Sequence, residues 1–321
     1  MTKILITGAF GQIGTELSTA LRQRYGAGHV LATGLHLPAG DGSAGSQGPA
    51  ARLDVTDAGA VLDTLKRHEI DVIYHLAARL SAVGEHDPGL TWQVNMDGLR
   101  NVLEAARQAG VQRVFWPSSI AAFGPGAPRD AVPQDTVMRP TTIYGLTKVA
   151  GELLCDYYFR RYGLDVRGLR YPGVVSSGAP PSGGTTDYAV EIFHAALDRR
   201  RYVAFLREDC TLPMIYMPDC INAAITLMET DVARLVHHNS FNITAMSFSP
   251  AELAAEIRKH IPDFRCEYAP DERQAIAESW PRSLDDSAAR EEWGWDPQYD
   301  LARMTADMLT RLRERRRAGT P

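Results

Sequence analysis

Residues 4–14 read ILITGAFGQIG, a run of β-favouring residues followed by glycines at 8, 11 and 14. A strand buried on both faces of a parallel sheet is a nearly continuous apolar run, which Ile4 to Thr7 supplies. The glycines let the backbone turn tightly and let a phosphate approach, and the helix starting at Gln12 offers free N–H groups and its positive dipole end. Such a triplet also fits an ordinary strand-to-helix turn, but its place at the first strand–helix junction favours a dinucleotide-binding turn. Outward from it, short apolar runs alternate with helical patterns. Strands are expected at Val30 to Thr33, Arg52 to Asp54, Val72 to Leu76, Val114 to Ser118 and Val166 to Tyr171, and helices at Gln12 to Tyr25, Ala58 to Arg67, Val94 to Ala109 and Tyr144 to Arg161. This rhythm specifies an α/β fold, a Rossmann-type doubly wound parallel sheet.

The rhythm changes after Tyr171. Pro172 to Thr186 holds four glycines and three prolines and reads as a loop, where ligands sit in open α/β sheets. Pro38 to Ala50 reads as a surface loop. Further on come a helix from Asp187 to Asp198, a strand near Met214 to Met217, a helix from Asp219, a strand near Phe241 to Thr244 and a helix from Pro250 to His260. The expected division is a dinucleotide-binding domain over 1–174, to which a segment at about 211–245 returns. A smaller C-terminal substrate-binding region takes 175–210 and 246–321. The terminal RLRERRR reads as a solvated helix end rather than a binding patch.

The chain has 321 residues, 45% hydrophobic and 23% charged, enough to bury a large core. Its 34 Lys and Arg against 39 Asp and Glu give a net charge of −5, which offers no field for tracking a nucleic-acid backbone. The cysteines at 155, 210, 220 and 266 have no CxxC spacing, so reduced thiols are expected, with neither a disulfide framework nor a metal site. No stretch reads as a membrane span, and a strand beginning almost at the first residue leaves no leader, so a cytoplasmic protein is expected.

Tyr144 and Lys148 in IYGLTKVAGELL share one face of a helix, and Ser118 in FWPSSIAAFGP lies 26 residues upstream, at the end of the fifth strand. A phenol with an ordinary pKa of about 10 needs help to act as a base, which a nearby ammonium and a positive nicotinamide ring supply. Lys148 also anchors the nicotinamide ribose, and Ser118 holds the substrate oxygen. A lone YxxxK is more often a packed tyrosine with a surface lysine; the glycine turn and the serine give this one chemistry. The end of the second strand, where an acid is expected to hold the adenosine ribose, is Gly34. The nearest acids in sequence are Asp41 and Asp54. No Arg or Lys stands at 34–37, although His36 is placed to touch a 2′-phosphate, so NAD is preferred over NADP. The lost hydrogen bond weakens NAD by roughly 1–3 kcal/mol.

Together these residues resemble the short-chain dehydrogenase/reductase superfamily in its extended, nucleotide-sugar-epimerase-like branch. The glycine turn, HLAA at His75 to Ala78, the VNMDGLRNVLEAA helix with Asn95, and YxxxK all match that branch. The resemblance implies a cofactor site of Gly8, Gly11, Gln12, Ile13, Gly14, Leu76, Ala77, Ala78, Asn95, Tyr144 and Lys148. It places Asp54 and Val55 near the adenine, and Tyr171, Pro172 and Gly173 beside the nicotinamide. His75 ends a buried strand and is taken as structural. Four later stretches (GGTTDYAVEIF, LPMIYMPD, FNITAMSFSP and ESWPRSLDDSAAREEWGWDP) resemble the metal-independent L-threonine 3-dehydrogenases of this branch. Those enzymes usually carry an aspartate where this chain has Gly34.

This second resemblance implies oxidation of L-threonine to 2-amino-3-ketobutyrate with NAD, in a homodimer built through the Asn95 and Tyr144 helices. Ser81, Ser118, Ser119, Tyr144, Gly184, Thr185, Thr186 and Trp280 are expected to hold the substrate. Thr185 and Thr186 also suit a helix N-terminal cap, and Trp280 equally suits a core. Two other readings stay open. A nucleotide-sugar epimerase or dehydratase needs positive charge for a diphosphate, and 173–186 has no Lys or Arg; a non-catalytic cofactor-sensing regulator has no need of the Tyr–Lys pair.

Overall fold

Strand β1 (Ile4–Thr7) lies inside a sheet of six parallel strands in a computed structural model that describes residues 2–37, 48–178 and 184–318. On one side it pairs with β2 (Val30–Gly34), then β3 (Ala50–Arg52); on the other with β4 (Val72–His75), β5 (Arg113–Phe115) and the strand Asp165–Arg167. The direction of winding reverses at β1, and a crevice opens there at the carboxyl ends of β1 and β4. Side chains of a strand alternate between faces. Leu5 packs with Ile73, Val114 and Val166 under the helices α2 (Ala58–His68), Gly98–Ala109 and Ile143–Tyr162. Ile4 and Ile6 pack the other way, under α1 (Gln12–Tyr25) and the helix Met217–Glu229.

A third core joins the helices Tyr188–Asp198, Pro250–His260 and Leu301–Arg317 through Phe193, Leu253, Ile257 and Met308. Two three-stranded sheets stitch this part to the first. Leu212–Tyr216 lies between Gly173–Val175 and Met246–Phe248, and Leu169–Tyr171 lies between Ser118–Ser119 and Phe241–Asn242. Arg201–Ala204 pairs separately with Arg265–Tyr268. Among the described residues no helix is long and apolar enough to cross a membrane, and no group of three or more His, Cys, Asp and Glu is placed to hold a metal. The four cysteines are free thiols.

Several element bounds differ from expectation. The third strand is Ala50–Arg52, not Arg52 to Asp54, because Asp54 Oδ1 accepts from Thr56 N and turns the chain. The expected strand Val114 to Ser118 breaks at Pro117, which has no N–H to donate, and resumes at Ser118–Ser119 in another sheet. Val166 to Tyr171 divides at Gly168 between two sheets. Val94 to Ala109 begins as a π-helical turn, Gln93–Asp97, and is preceded by two short helices, Ser81–His86 and Pro88–Trp92, that the pattern did not announce. The strand at 241 ends at Asn242 rather than Thr244. The terminal helix end is not merely solvated: Arg315 donates to the carbonyls of Ser177 and Gly178, and Arg316 pairs with Asp198. Residues 38–47 of the Pro38 to Ala50 loop, Asp41 among them, and 179–183 of the Pro172 to Thr186 loop lie outside the described residues.

Candidate active site

The helix Ile143–Tyr162 starts on Thr142, whose hydroxyl accepts from Gly145 N at 3.0 Å, and presses its middle against Trp116. A Cβ on Gly151 would lie 2.4 Å from the Trp116 ring, so only glycine permits this approach. The approach carries Tyr144 and Lys148 down onto the loop at 117–122. Lys148 Nζ donates to Pro117 O at 2.6 Å and lies 4.6 Å from the Trp116 ring centre and 5.4 Å from that of Tyr144.

The Ser119 hydroxyl, which accepts from Ala121 N at 3.2 Å, is the group beside the Tyr144 phenol that favours its ionised form. Ser118 turns its hydroxyl away, to the buried Glu152 carboxylate. The Ser118 hydroxyl, expected beside the phenol, is thus engaged by Glu152 instead. Neighbours on a strand point to opposite faces, and it is Ser119 that faces the tyrosine. Burial pushes the Tyr144 phenol up to about 12, opposed by the neighbouring Ser119 hydroxyl, and pushes the Lys148 ammonium down to about 8. In the protein alone, desolvation of the phenolate dominates the phenol's shift.

A cavity of about 560 Å³ runs from the glycine turn to this pair. Gly8, Gly11, Gln12, Ile13, Gly14, Asp54, Val55, Leu76, Ala77, Ala78, Tyr171 and Pro172 line it. At the other end Ser81, Ser118, Ser119, Gly184, Thr185, Thr186 and Trp280 join Tyr144 and Lys148. Asn95 is the exception. It does not reach the wall; its side chain accepts from Arg79 N at 2.8 Å and donates to Arg79 O and to Thr147 Oγ1. The π-helical turn aims this amide at the loop after β4, so Asn95 fixes a lining segment rather than lining the cavity itself. His75 is buried, with Nδ1 2.7 Å from Thr7 Oγ1, and burial lowers it to about 3, which keeps the ring neutral. Thr185 does not cap the helix Tyr188–Asp198; its hydroxyl sits 3.3 Å from Ser81 Oγ. Trp280 is both part of the third core and part of the cavity wall.

The wall also holds residues the sequence reading passed over: Leu53, Arg79, Leu80, Leu90, Val94, Pro117, Ile120, Val174 and Asp187. Arg79 and Leu80 simply continue the HLAA segment, and Asp187 sits inside a quoted stretch, so adjacency was the available signal. The apolar members come from helix starts and loop bends that only packing reveals.

The turn end of the cavity fits a dinucleotide. A Cβ on Gly14 would meet Gly8 O at 2.3 Å, so the chain folds back on itself as a phosphate cradle must. The N-terminus of α1 has no side-chain cap and no acid in its first turn, which leaves its N–H groups facing the cavity mouth. Gln12 Nε2 is buried without a partner among the described residues.

Comparison with known proteins agrees. A family model described as the NAD-dependent epimerase/dehydratase family matches residues 4–244. The chain is 48% identical over 316 residues to an uncharacterized epimerase/dehydratase of Staphylococcus haemolyticus, covering 98% of this chain and 99% of that one. Among solved structures, a GalE-like L-threonine dehydrogenase from Cupriavidus necator in its holo form is 53% identical, with a TM-score of 0.93 over 97% of this chain and 99% of that one. A monomeric L-threonine 3-dehydrogenase of metagenomic origin is 45% identical, with a TM-score of 0.93 over 97% of this chain and 99% of that one.

Proposed function

The chain belongs to the NAD-dependent epimerase/dehydratase family, with NAD as its cofactor, and within it we propose that it oxidises L-threonine at the side-chain alcohol to 2-amino-3-ketobutyrate. The observation that carries this reading is the convergence of Tyr144, Ser119 and Lys148 on one wall of the dinucleotide cavity, with Lys148 Nζ 5.4 Å from the Tyr144 ring. Bound NAD supplies the acceptor for the hydride that leaves the alcohol carbon, and a second positive charge. Tyr144 takes the hydroxyl proton, and Ser119 holds the oxygen as it becomes a carbonyl. Lys148, charged below about pH 8, offsets the cost that burial adds to ionising the phenol. The full exchange is threonine plus NAD⁺ to the amino ketone, NADH and a proton.

A zwitterion must be held by both its charges, and the cavity wall includes the guanidinium of Arg79 and the carboxylate of Asp187, besides the hydroxyls of Ser81 and Thr185. The similarity to L-threonine dehydrogenases supports the same substrate. Mixing the protein with NAD and L-threonine is expected to generate NADH, and NAD with UDP-galactose to generate none. A Tyr144→Phe variant should bind NAD yet lose activity by about 100-fold or more. Turnover of the sugar nucleotide in place of threonine, or an undiminished Tyr144→Phe rate, overturns the proposal. The homodimer belongs to the same proposal: the helix Ile143–Tyr162 exposes Leu146, Leu153, Tyr157 and Tyr162, a face suited to a second copy. A monomeric mass by light scattering removes it.

A further inference from the structure

We propose that the dinucleotide cleft also accepts the 2′-phosphorylated cofactor, NADP, with Arg52 as the partner of the extra phosphate. No Arg or Lys follows the second strand at 34–37. Strand pairing alters that account. Gly34, the last residue of β2, is in register with Arg52, the last residue of β3. Arg52 is exposed, and its Nε donates to Leu35 O at 3.1 Å. Gly34 and Leu35 line the cavity at the position from which a carboxylate holds the adenosine ribose in dinucleotide folds.

Two features of this corner act together. Without an acid at Gly34, nothing on the second strand repels a 2′-phosphate. With Arg52 beside it, a guanidinium that makes no ion pair among the described residues is available to a dianion, and the planar fork suits phosphate. Among the described residues an opposing charge at this end of the cavity is Asp54, whose Oδ1 accepts from Thr56 N at 2.9 Å and Thr56 Oγ1 at 2.7 Å. His36, two residues past Gly34, is exposed.

This inference rests on the dinucleotide site and not on which alcohol is oxidised, so it is tested by binding. Calorimetric titration of the whole protein compares NAD with NADP, and 5′-AMP with adenosine 2′,5′-bisphosphate, the fragment that isolates the corner. The native protein is expected to bind NADP within about tenfold of NAD. Arg52→Ala, an exposed site that leaves the fold intact, should weaken NADP and the bisphosphate by about tenfold and change NAD and 5′-AMP by less than about twofold. Gly34→Asp should exclude the two 2′-phosphates while retaining NAD. NADP weaker than NAD by about a thousandfold, or an Arg52→Ala loss equal for both cofactors, overturns the inference. A protein that binds both cofactors but leaves threonine untouched refutes the substrate and leaves this corner standing.

Discussion

Ser119→Ala removes the hydroxyl beside Tyr144 and is expected to lower kcat by about 100-fold with little change in NAD binding. Ser118→Ala should instead keep most of the rate and cost stability, about 1–2 kcal/mol in a urea titration, because it takes a donor from buried Glu152. The reverse pattern would return the catalytic role to Ser118. Adjacent serines in one motif are indistinguishable by spacing to a distant tyrosine; only the strand's alternation tells them apart. Lys148 offers a pH test. Its folded pKa of about 8 is below the ordinary 10.5, so the unfolded chain holds the extra proton between those values and stability rises with pH across that window. The penalty for burying the ammonium is full below pH 8 and fades through 10.5. Lys148→Met should therefore raise the melting temperature relative to the native chain more at pH 7 than at pH 10, and an equal difference at both would refute the burial account.

At the scale of elements, the helix Ile143–Tyr162 matters because Tyr144 and Lys148, the side chains proposed to be catalytic, ride on it. Gly151 sits one turn from Lys148 and two from Tyr144, against Trp116. Gly151→Ala forces the helix outward and should cost about 1–3 kcal/mol. It should also lower kcat more than it weakens NAD, since the glycine turn is untouched; measuring both separates displacement from general loss of fold. The helix itself was legible from IYGLTKVAGELL, and α1 was placed to the residue by its glycines. The short helices Ser81–His86 and Pro88–Trp92 were not, because six and five residues are too few to show a hydrophobic period. The π-helical turn left no mark at all: its extra residue is set by what Asn95 reaches, not by local propensity.

Across the whole molecule, one buried network joins the two halves. Glu152 accepts from Arg170 through both oxygens at 3.0 and 2.8 Å, and Arg170 donates onward to Asn242 Oδ1 and Gln134 O. Asn242 donates in turn to the carbonyls of Val132 and Asp285. Glu152→Ala leaves a buried guanidinium without its counter-charge and should destabilise by about 3–5 kcal/mol, read as a lower midpoint in denaturant. A loss under about 1 kcal/mol would show the network to be dispensable. No motif pointed to this network, since its members are scattered along the chain from Val132 to Asp285. What the residues settled by themselves is everything carried by a short local pattern: the glycine turn, the order of strands and helices, and the Tyr–Lys pair on one helical face. Tertiary structure alone decided which serine meets the phenol, that Asn95 braces the cavity instead of lining it, and that Arg52 stands beside Gly34. Each of these depends on strand register or on packing between distant segments, and neither is encoded in the spacing of neighbours along the chain.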